Sequence, residues 1–211
     1  MKRIVYKIIA FTLIATLLAC SLTACKEKDE QPDSPLVSTA NYVVIRLRDI
    51  GDVVIELDRG NAPETVKNFV RLATRGFYDG LTFHRVIEGF MVQGGCPNGN
   101  GTGDSGKYIE GEFYYNGHDN TLSHQRGVIS MARGNHPDSA SCQFFICVDD
   151  CSSLDGSYAA FGVVISGMEY VDEIVNRTAH LATDGNGGGI PKAKHIVIES
   201  VTALETYPEK A

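Results

Sequence analysis

Positive charge is the scarcer sign in this 211-residue chain, with 19 Lys and Arg facing 26 Asp and Glu. Binding to nucleic acid needs a basic patch against phosphate, and adhesion to anionic lipid needs one too, so both are excluded. The six His are dispersed, with no HExxH or comparable i, i+4 pair, and the cysteines form no CxxC. Neither pattern suits zinc, and no metal or cofactor is expected. Ser130 and Ser139 sit in no nucleophile elbow, which sets a serine hydrolase aside. Proline is sparse, 7 residues against 22 Gly, a balance that favours many turns over a helical bundle. After the N-terminal segment no apolar run approaches the roughly 20 residues of a membrane span. Repeats and a second domain are not discernible.

What is present begins with an address. Lys2, Arg3 and Lys7 precede the apolar stretch Ile8 to Leu18, and Leu22-Thr23-Ala24-Cys25 follows. These four residues resemble the lipobox of bacterial lipoproteins, which implies lipidation of Cys25. Leu17-Leu18-Ala19-Cys20 is a second candidate. Cys25 is the better one, because the whole apolar run precedes it and a polar stretch follows. The competing reading is an ordinary secretory signal with incidental cysteines. Without residues 1–25 the chain carries 16 Lys and Arg against 26 Asp and Glu, a net of −10. Acyl chains would then have to supply the membrane attachment. The expected location is the cell envelope, lipid-anchored to a bacterial membrane outside the cytoplasm. Cys96, Cys142, Cys147 and Cys151 remain in the folded part, where a disulfide is permitted but not required. Their pairing stays open.

Four segments are expected: a signal over 1–25, a flexible tether over 26–40, one domain over 41–203 and a tail over 204–211. Val43, Ile45 and Leu47 alternate with other positions, and Asp49-Ile50-Gly51-Asp52 turns into 53–57, a hairpin pattern. A helix follows, with Pro63 in its first turn, Glu64 at its positive end, Val66, Phe69, Val70 and Ala73 on one face, and Gly76 closing it. Short β-rich runs recur at 82–87, 90–93, 128–132, 143–148, 158–164 and 195–202. A second helix over 168–177 shows Val171, Ile174 and Val175 on its apolar face. Many short strands and two helices predict a mainly β fold, an antiparallel barrel plugged at its ends by helices.

The stretch Phe83-His84-Arg85-Val86-Ile87-Glu88-Gly89-Phe90-Met91-Val92-Gln93-Gly94-Gly95 is similar to the cyclophilin signature FHRxIxGFxxQGG at every fixed position. Ile129-Ser130-Met131-Ala132, Ser141 to Ile146, Leu154-Asp155-Gly156 and Phe161 to Val164 resemble the later blocks of that family, in order. The resemblance spans roughly 41–203 and is highly specific. It implies a closed, antiparallel, eight-stranded barrel capped by two α-helices, and rotation about X–Pro bonds as the activity. Such rotation makes and breaks no σ bond, so it needs neither nucleophile nor metal. By resemblance Arg85 and Gln93 are the catalytic pair. Phe90, Met91, Phe145 and Leu154 line a socket for the proline ring. Ala132 and Arg133 offer backbone to the residue before proline, and Gln143 and Tyr158 sit at the rim. A fixed guanidinium suits an imide losing its resonance, since it never deprotonates and its fork is rigid. Taken singly, the apolar residues read as core, Arg85 as a surface charge, and His84 as a core histidine satisfied by backbone.

Three departures touch specificity. Ser153 stands where many eukaryotic members carry a tryptophan that contacts cyclosporin, so weak binding of that drug is expected. Tyr158 replaces a common His, and Arg133 a frequent Asn, adding charge beside the groove that would favour acidic substrates. Gly101 to Gly106 spells GxGxxG, but no strand-to-helix setting surrounds it, so it reads as a turn-rich loop beside the groove. The expected partners are proline-containing polypeptides, met as a monomer by default. The rival to an isomerase assisting exported proteins is a non-catalytic module that binds proline peptides, and the presence of Arg85 favours the enzyme. A lipocalin-like carrier leaves the signature unexplained.

Overall fold

A computed structural model describes residues 32–182 and 187–208. The signal, both candidate lipidation cysteines and residues 26–31 of the tether lie outside the described residues.

Strand β1, Tyr42–Leu47, buries Val43, Ile45 and Leu47 and exposes Arg46, the alternation of a strand with one face on a core. It pairs with β2, Gly51–Leu57, from Tyr42↔Glu56 to Leu47↔Gly51. Asp49, at φ 59°, makes the turn between them. Helix α2, Pro63–Thr74, buries Val66, Phe69, Val70 and Ala73 together with Thr65 and Asn68. It ends in a Schellman motif: Gly76 N donates to Ala73 O (2.9 Å) and Phe77 N to Leu72 O (3.0 Å), with Gly76 at φ 66°. Its N-terminus has no cap from its own segment. Instead the buried Glu112 carboxylate accepts from Glu64 N at 3.0 Å and Thr65 N at 2.7 Å.

The remaining strands are β3 (Thr82–Ile87), β4 (Met91–Gly94), β5 (Val128–Met131), β6 (Phe144–Cys147), β7 (Ala160–Ser166) and β8 (Ile196–Leu204). All ladders are antiparallel, and the order β1-β2-β7-β5-β6-β4-β3-β8 closes on itself through β8 and β1. Closure leaves no strand edge for unwanted pairing. This is the eight-stranded barrel the sequence predicts, and α2 and α3 (Met168–Thr178) cover it. Helix α3 buries Val171, Ile174 and Thr178, with Val175 partly buried.

The interior is filled rather than hollow. Phe69 of α2 meets Tyr78 at 4.9 Å, Phe161 at 5.2 Å and Phe144 at 5.5 Å between ring centroids. The Tyr78 hydroxyl donates to Cys142 O at 3.0 Å, which satisfies a polar tip that burial would otherwise penalise. A second, smaller apolar cluster lies on the other face of β4–β7, around Met91, Val128, Phe145, Cys147, Cys151 and Ala160. Strands β5 and β6 are therefore buried on both faces.

The stretch expected to be flexible up to Ala40 is ordered at its end. Leu36–Thr39 forms one helical turn, α1, with Val37 and Ala40 buried. The Arg59 guanidinium holds it, donating to Ala40 O at 2.8 Å and Val37 O at 3.2 Å. At the other end, Tyr207 packs edge-on against Tyr42 at 5.9 Å.

Candidate functional site

The expected site residues lie on the outer face of the barrel, on adjacent strands. Phe83 and Val86 of β3 both join the interior core, which strict alternation forbids for residues three apart. A bulge between Phe83 and Arg85 resolves the conflict. It turns Arg85 outward, opposite Gln93 of β4, and Gln93 in turn stands opposite Phe145 of β6. Arg85, Gln93 and Phe145 thus occupy one row across three strands, each step spanning about 5 Å.

One hydrogen-bond chain runs along this row. Arg85 Nη1 donates to Gln93 Oε1 (3.1 Å), and Gln93 Nε2 donates to Gln143 Oε1 (3.0 Å). Gln143 Nε2 donates in turn to Gly101 O (2.9 Å) and Gly103 O (2.8 Å). Arginine only donates, so it forces the orientation of both amides downstream. The Gly-rich loop, set aside as a nucleotide site, supplies the terminal acceptors. Arg85 Nε donates to Gly187 O, and no carboxylate pairs with Arg85 among the described residues.

Beside the row lies the apolar surface. Met91 and Phe145 form its nearly covered floor, and the partly buried Phe90, Ala132, Leu154 and Tyr158 pack against them. Phe145 meets Tyr158 edge-on at 5.9 Å. Past Gln93 and Gln143 the groove continues into a cavity of about 310 Å³ that Ala132 and Arg133 also line. Ala132 N bonds Gln143 O at 3.0 Å, while the Arg133 N–H and C=O have no partner among the described residues. All ten expected catalytic and binding residues are therefore brought to one continuous surface. Cys25 lies outside the described residues.

Behind Phe145 stands a group that sequence spacing does not reveal. His124, stacked on the Phe145 ring at 6.0 Å and 14°, bonds Asp155 Oδ1 through Nδ1 (2.8 Å) and Ser130 Oγ through Nε2 (2.9 Å). The order of partners is that of a hydrolase triad, but Ser130 is 0% exposed and no substrate reaches it. Burial pushes the His124 pKa down, opposed by Asp155. The group acts as a strut joining β5, the Leu154–Gly156 turn and the socket floor.

His84 differs from expectation. It is buried, yet neither ring nitrogen has a hydrogen-bond partner among the described residues. Burial, with smaller contributions from His195 and Arg85, pushes its pKa down to about 4 against an opposing contribution from the Thr82 backbone. Cys96, Cys142, Cys147 and Cys151, the four cysteines among the described residues, are free thiols. Burial pushes Cys142 up to about 12 and raises Cys147 and Cys151. Burial acts on Cys96 as well, but the backbone N–H groups of Asn100, Gly103, Gly101 and Asn98 outweigh it and lower its pKa.

A closed barrel with an external groove, a fixed guanidinium and an adjoining apolar socket defines a peptide-binding barrel. The family model described as cyclophilin type peptidyl-prolyl cis-trans isomerase/CLD matches residues 42–203. A peptidyl-prolyl cis-trans isomerase of Helicobacter pylori (strain ATCC 700392 / 26695) is 44% identical over 147 residues, 69% of this chain and 86% of the relative. Peptidyl-prolyl cis-trans isomerase A of Dickeya dadantii (strain 3937) is 38% identical over 200 residues, 92% of this chain and 97% of the relative. The crystal structure of a Cryptosporidium parvum cyclophilin type isomerase, determined in the presence of the dipeptide Ala-Pro, superposes with a TM-score of 0.66 at 31% identity. That match covers 78% of this chain and 99% of the other. The chain belongs to the cyclophilin-type peptidyl-prolyl cis–trans isomerases, and it is an enzyme of that class.

Proposed function

We propose that this chain rotates X–Pro bonds of exported polypeptides at the bacterial cell envelope, with Arg85 and Gln93 as its catalytic pair. The barrier to rotation is about 18–20 kcal/mol, because twisting the amide costs its resonance. Uncatalysed rotation takes on the order of tens to hundreds of seconds. Reaching milliseconds requires a factor of roughly 10⁵, or about 7 kcal/mol of preference for the twisted state over either planar one.

The observation that carries this reading is the row Arg85–Gln93–Phe145. In the twisted imide the proline nitrogen regains a lone pair and the carbonyl becomes more ketone-like. Arg85 keeps Nη2 unspent among the described residues and would donate to this group as resonance is lost. Gln93 and Gln143 hold the guanidinium in place. Phe90, Met91, Phe145 and Leu154, with Tyr158 at the rim, would grip the pyrrolidine ring so that the bond turns rather than the whole residue. The Arg133 backbone would pair with the residue before proline, as an exposed strand does. No step needs a metal.

The envelope location rests on the lipobox ending at Cys25 and the positively charged start of the chain. Labelled palmitate should enter the chain in cells and be lost in Cys25→Ser. The anchored monomer would present its groove to clients, and Ser153 in place of a large aromatic supports weak cyclosporin inhibition. The isomerase reading is tested by turnover of a proline peptide by the chain from Ser34 onward, insensitive to chelators. Arg85→Ala should lower kcat/KM about 100-fold while peptide binding persists. An inactive wild type that still binds peptide would favour the binding module instead.

A further inference from the structure

Arg133 has surroundings that bond rotation does not require. Its guanidinium lies over two rings, 5.1 Å from the Phe113 centroid and 4.8 Å from that of Tyr158. Nε donates to Ser157 O at 2.9 Å and Nη1 to Gly134 O at 2.9 Å. Two aromatic faces and two carbonyls fix the side chain, but none of them carries a negative charge. Among the described residues no carboxylate pairs with it. Among the described residues both N–H groups of Nη2 and one of Nη1 have no partner, and this is the edge that carboxylates engage in pairs.

The position borders the substrate groove on two sides. Tyr158, on which the guanidinium rests, meets the socket residue Phe145 edge-on. Arg133 also lines the cavity that continues the groove past Gln93 and Gln143. Resting on the isomerase reading above, we propose that Arg133 forms an anion subsite of the groove, taking a carboxylate side chain within two residues of the isomerising proline. The rings pack against the guanidinium and the carbonyls hold the fork in one orientation, so little freedom remains to be lost on binding. Asp104 lines the same cavity, its carboxylate held by Gly106 N (2.7 Å) and the Tyr108 hydroxyl (2.8 Å). A second acidic side chain would be repelled there, which makes the preference specific to one position along the peptide.

The test assays the full chain on peptides carrying Glu, its neutral isostere Gln, or Lys at each of the four positions flanking one proline. At one position Glu should exceed Gln in kcat/KM by about fivefold, chiefly through KM, with Lys below both. In Arg133→Gln that ratio should fall to about one. In Arg133→Lys, which keeps the charge but loses the fork and the ring stacking, it should at least halve. Equal rates for Glu and Gln at all four positions in the wild type would overturn the subsite while leaving the isomerase intact, since turnover of neutral peptides establishes that separately. An unchanged ratio in Arg133→Gln would also overturn it, and Arg133→Lys decides the matter should the Gln variant fail to fold. Absence of turnover on every peptide would overturn both readings.

Discussion

Arg85 and Gln93 face each other across neighbouring strands, joined by a 3.1 Å bond from guanidinium to amide oxygen. The pairing exists because a bulge at His84 breaks the alternation of β3. It makes the orientation of Arg85, rather than its charge alone, the quantity on which activity should depend.

Arg85→Lys should therefore be a poor replacement. An ammonium cannot serve Gly187 O and Gln93 Oε1 through one rigid fork while keeping a planar edge for substrate. The isomerisation assay should show kcat/KM reduced about tenfold or more, most of it in kcat. Wild-type activity in this variant would mean that charge alone suffices.

Glu112 is expected to stabilise the fold without touching substrate. Its carboxylate takes the place of an N-cap for α2, accepting from two backbone N–H groups. Glu112→Ala should cost about 1–2 kcal/mol in urea unfolding, and Glu112→Gln, which keeps one acceptor, less. Equal stability of all three proteins would show that water replaces the cap at no cost.

Acid should weaken the native state through His84. Its pKa is about 4 in the fold against an ordinary 6.5, so between those values the unfolded chain binds a proton that the native one does not. Stability is then complete above pH 6.5 and is lost as pH falls toward 4, by at most about 3 kcal/mol from this residue. His124, also lowered, adds in the same direction. Urea unfolding across this range should show a shallower pH slope in His84→Gln. An identical slope would remove His84 as the source.

Gly162 should tolerate no side chain. A Cβ there would lie 2.5 Å from Glu56 O and 3.1 Å from the Ile55 side chain, inside the β2–β7 ladder. Because the obstacle is backbone, Gly162→Ala should destabilise by about 2 kcal/mol or more, read as a lowered Tm. A Tm equal to wild type would show that the ladder gives way easily.

Much of this architecture is legible along the chain. Alternating burial marks β1, and Pro63, the Val66/Phe69/Val70/Ala73 face and Gly76 mark both ends of α2. Those signals are local: they depend on pleat, helical period and the positive φ that glycine accepts. Less visible is the order of Val37 and Ala40, whose stretch is polar and proline-bearing but which Arg59 gathers onto the domain from 22 and 19 residues away.

The row Arg85–Gln93–Phe145 mixes both kinds of information. Its residue types stand in the signature, but their adjacency requires a bulge and two strand registers. Ser130 and Asp155 of the strut stand in segments the resemblance marks, but their meeting at His124 has no signal, since it forms only once β5 and the Leu154–Gly156 turn are packed. The charge of Arg133 beside the groove is legible in the sequence, but the Phe113 and Tyr158 rings against which its guanidinium packs are not.

Taken alone, the amino-acid order determined the strands, helices α2 and α3, the barrel class and the chemical types at the groove, because each rests on short-range periodicity or on residues contiguous in the chain. Only tertiary packing decided which way Arg85 turns, what caps α2, where the imidazoles stand and what holds the Arg133 guanidinium. Those outcomes depend on partners far apart in the chain, whose meeting is set by barrel closure and by the cost of leaving buried polar groups unpaired.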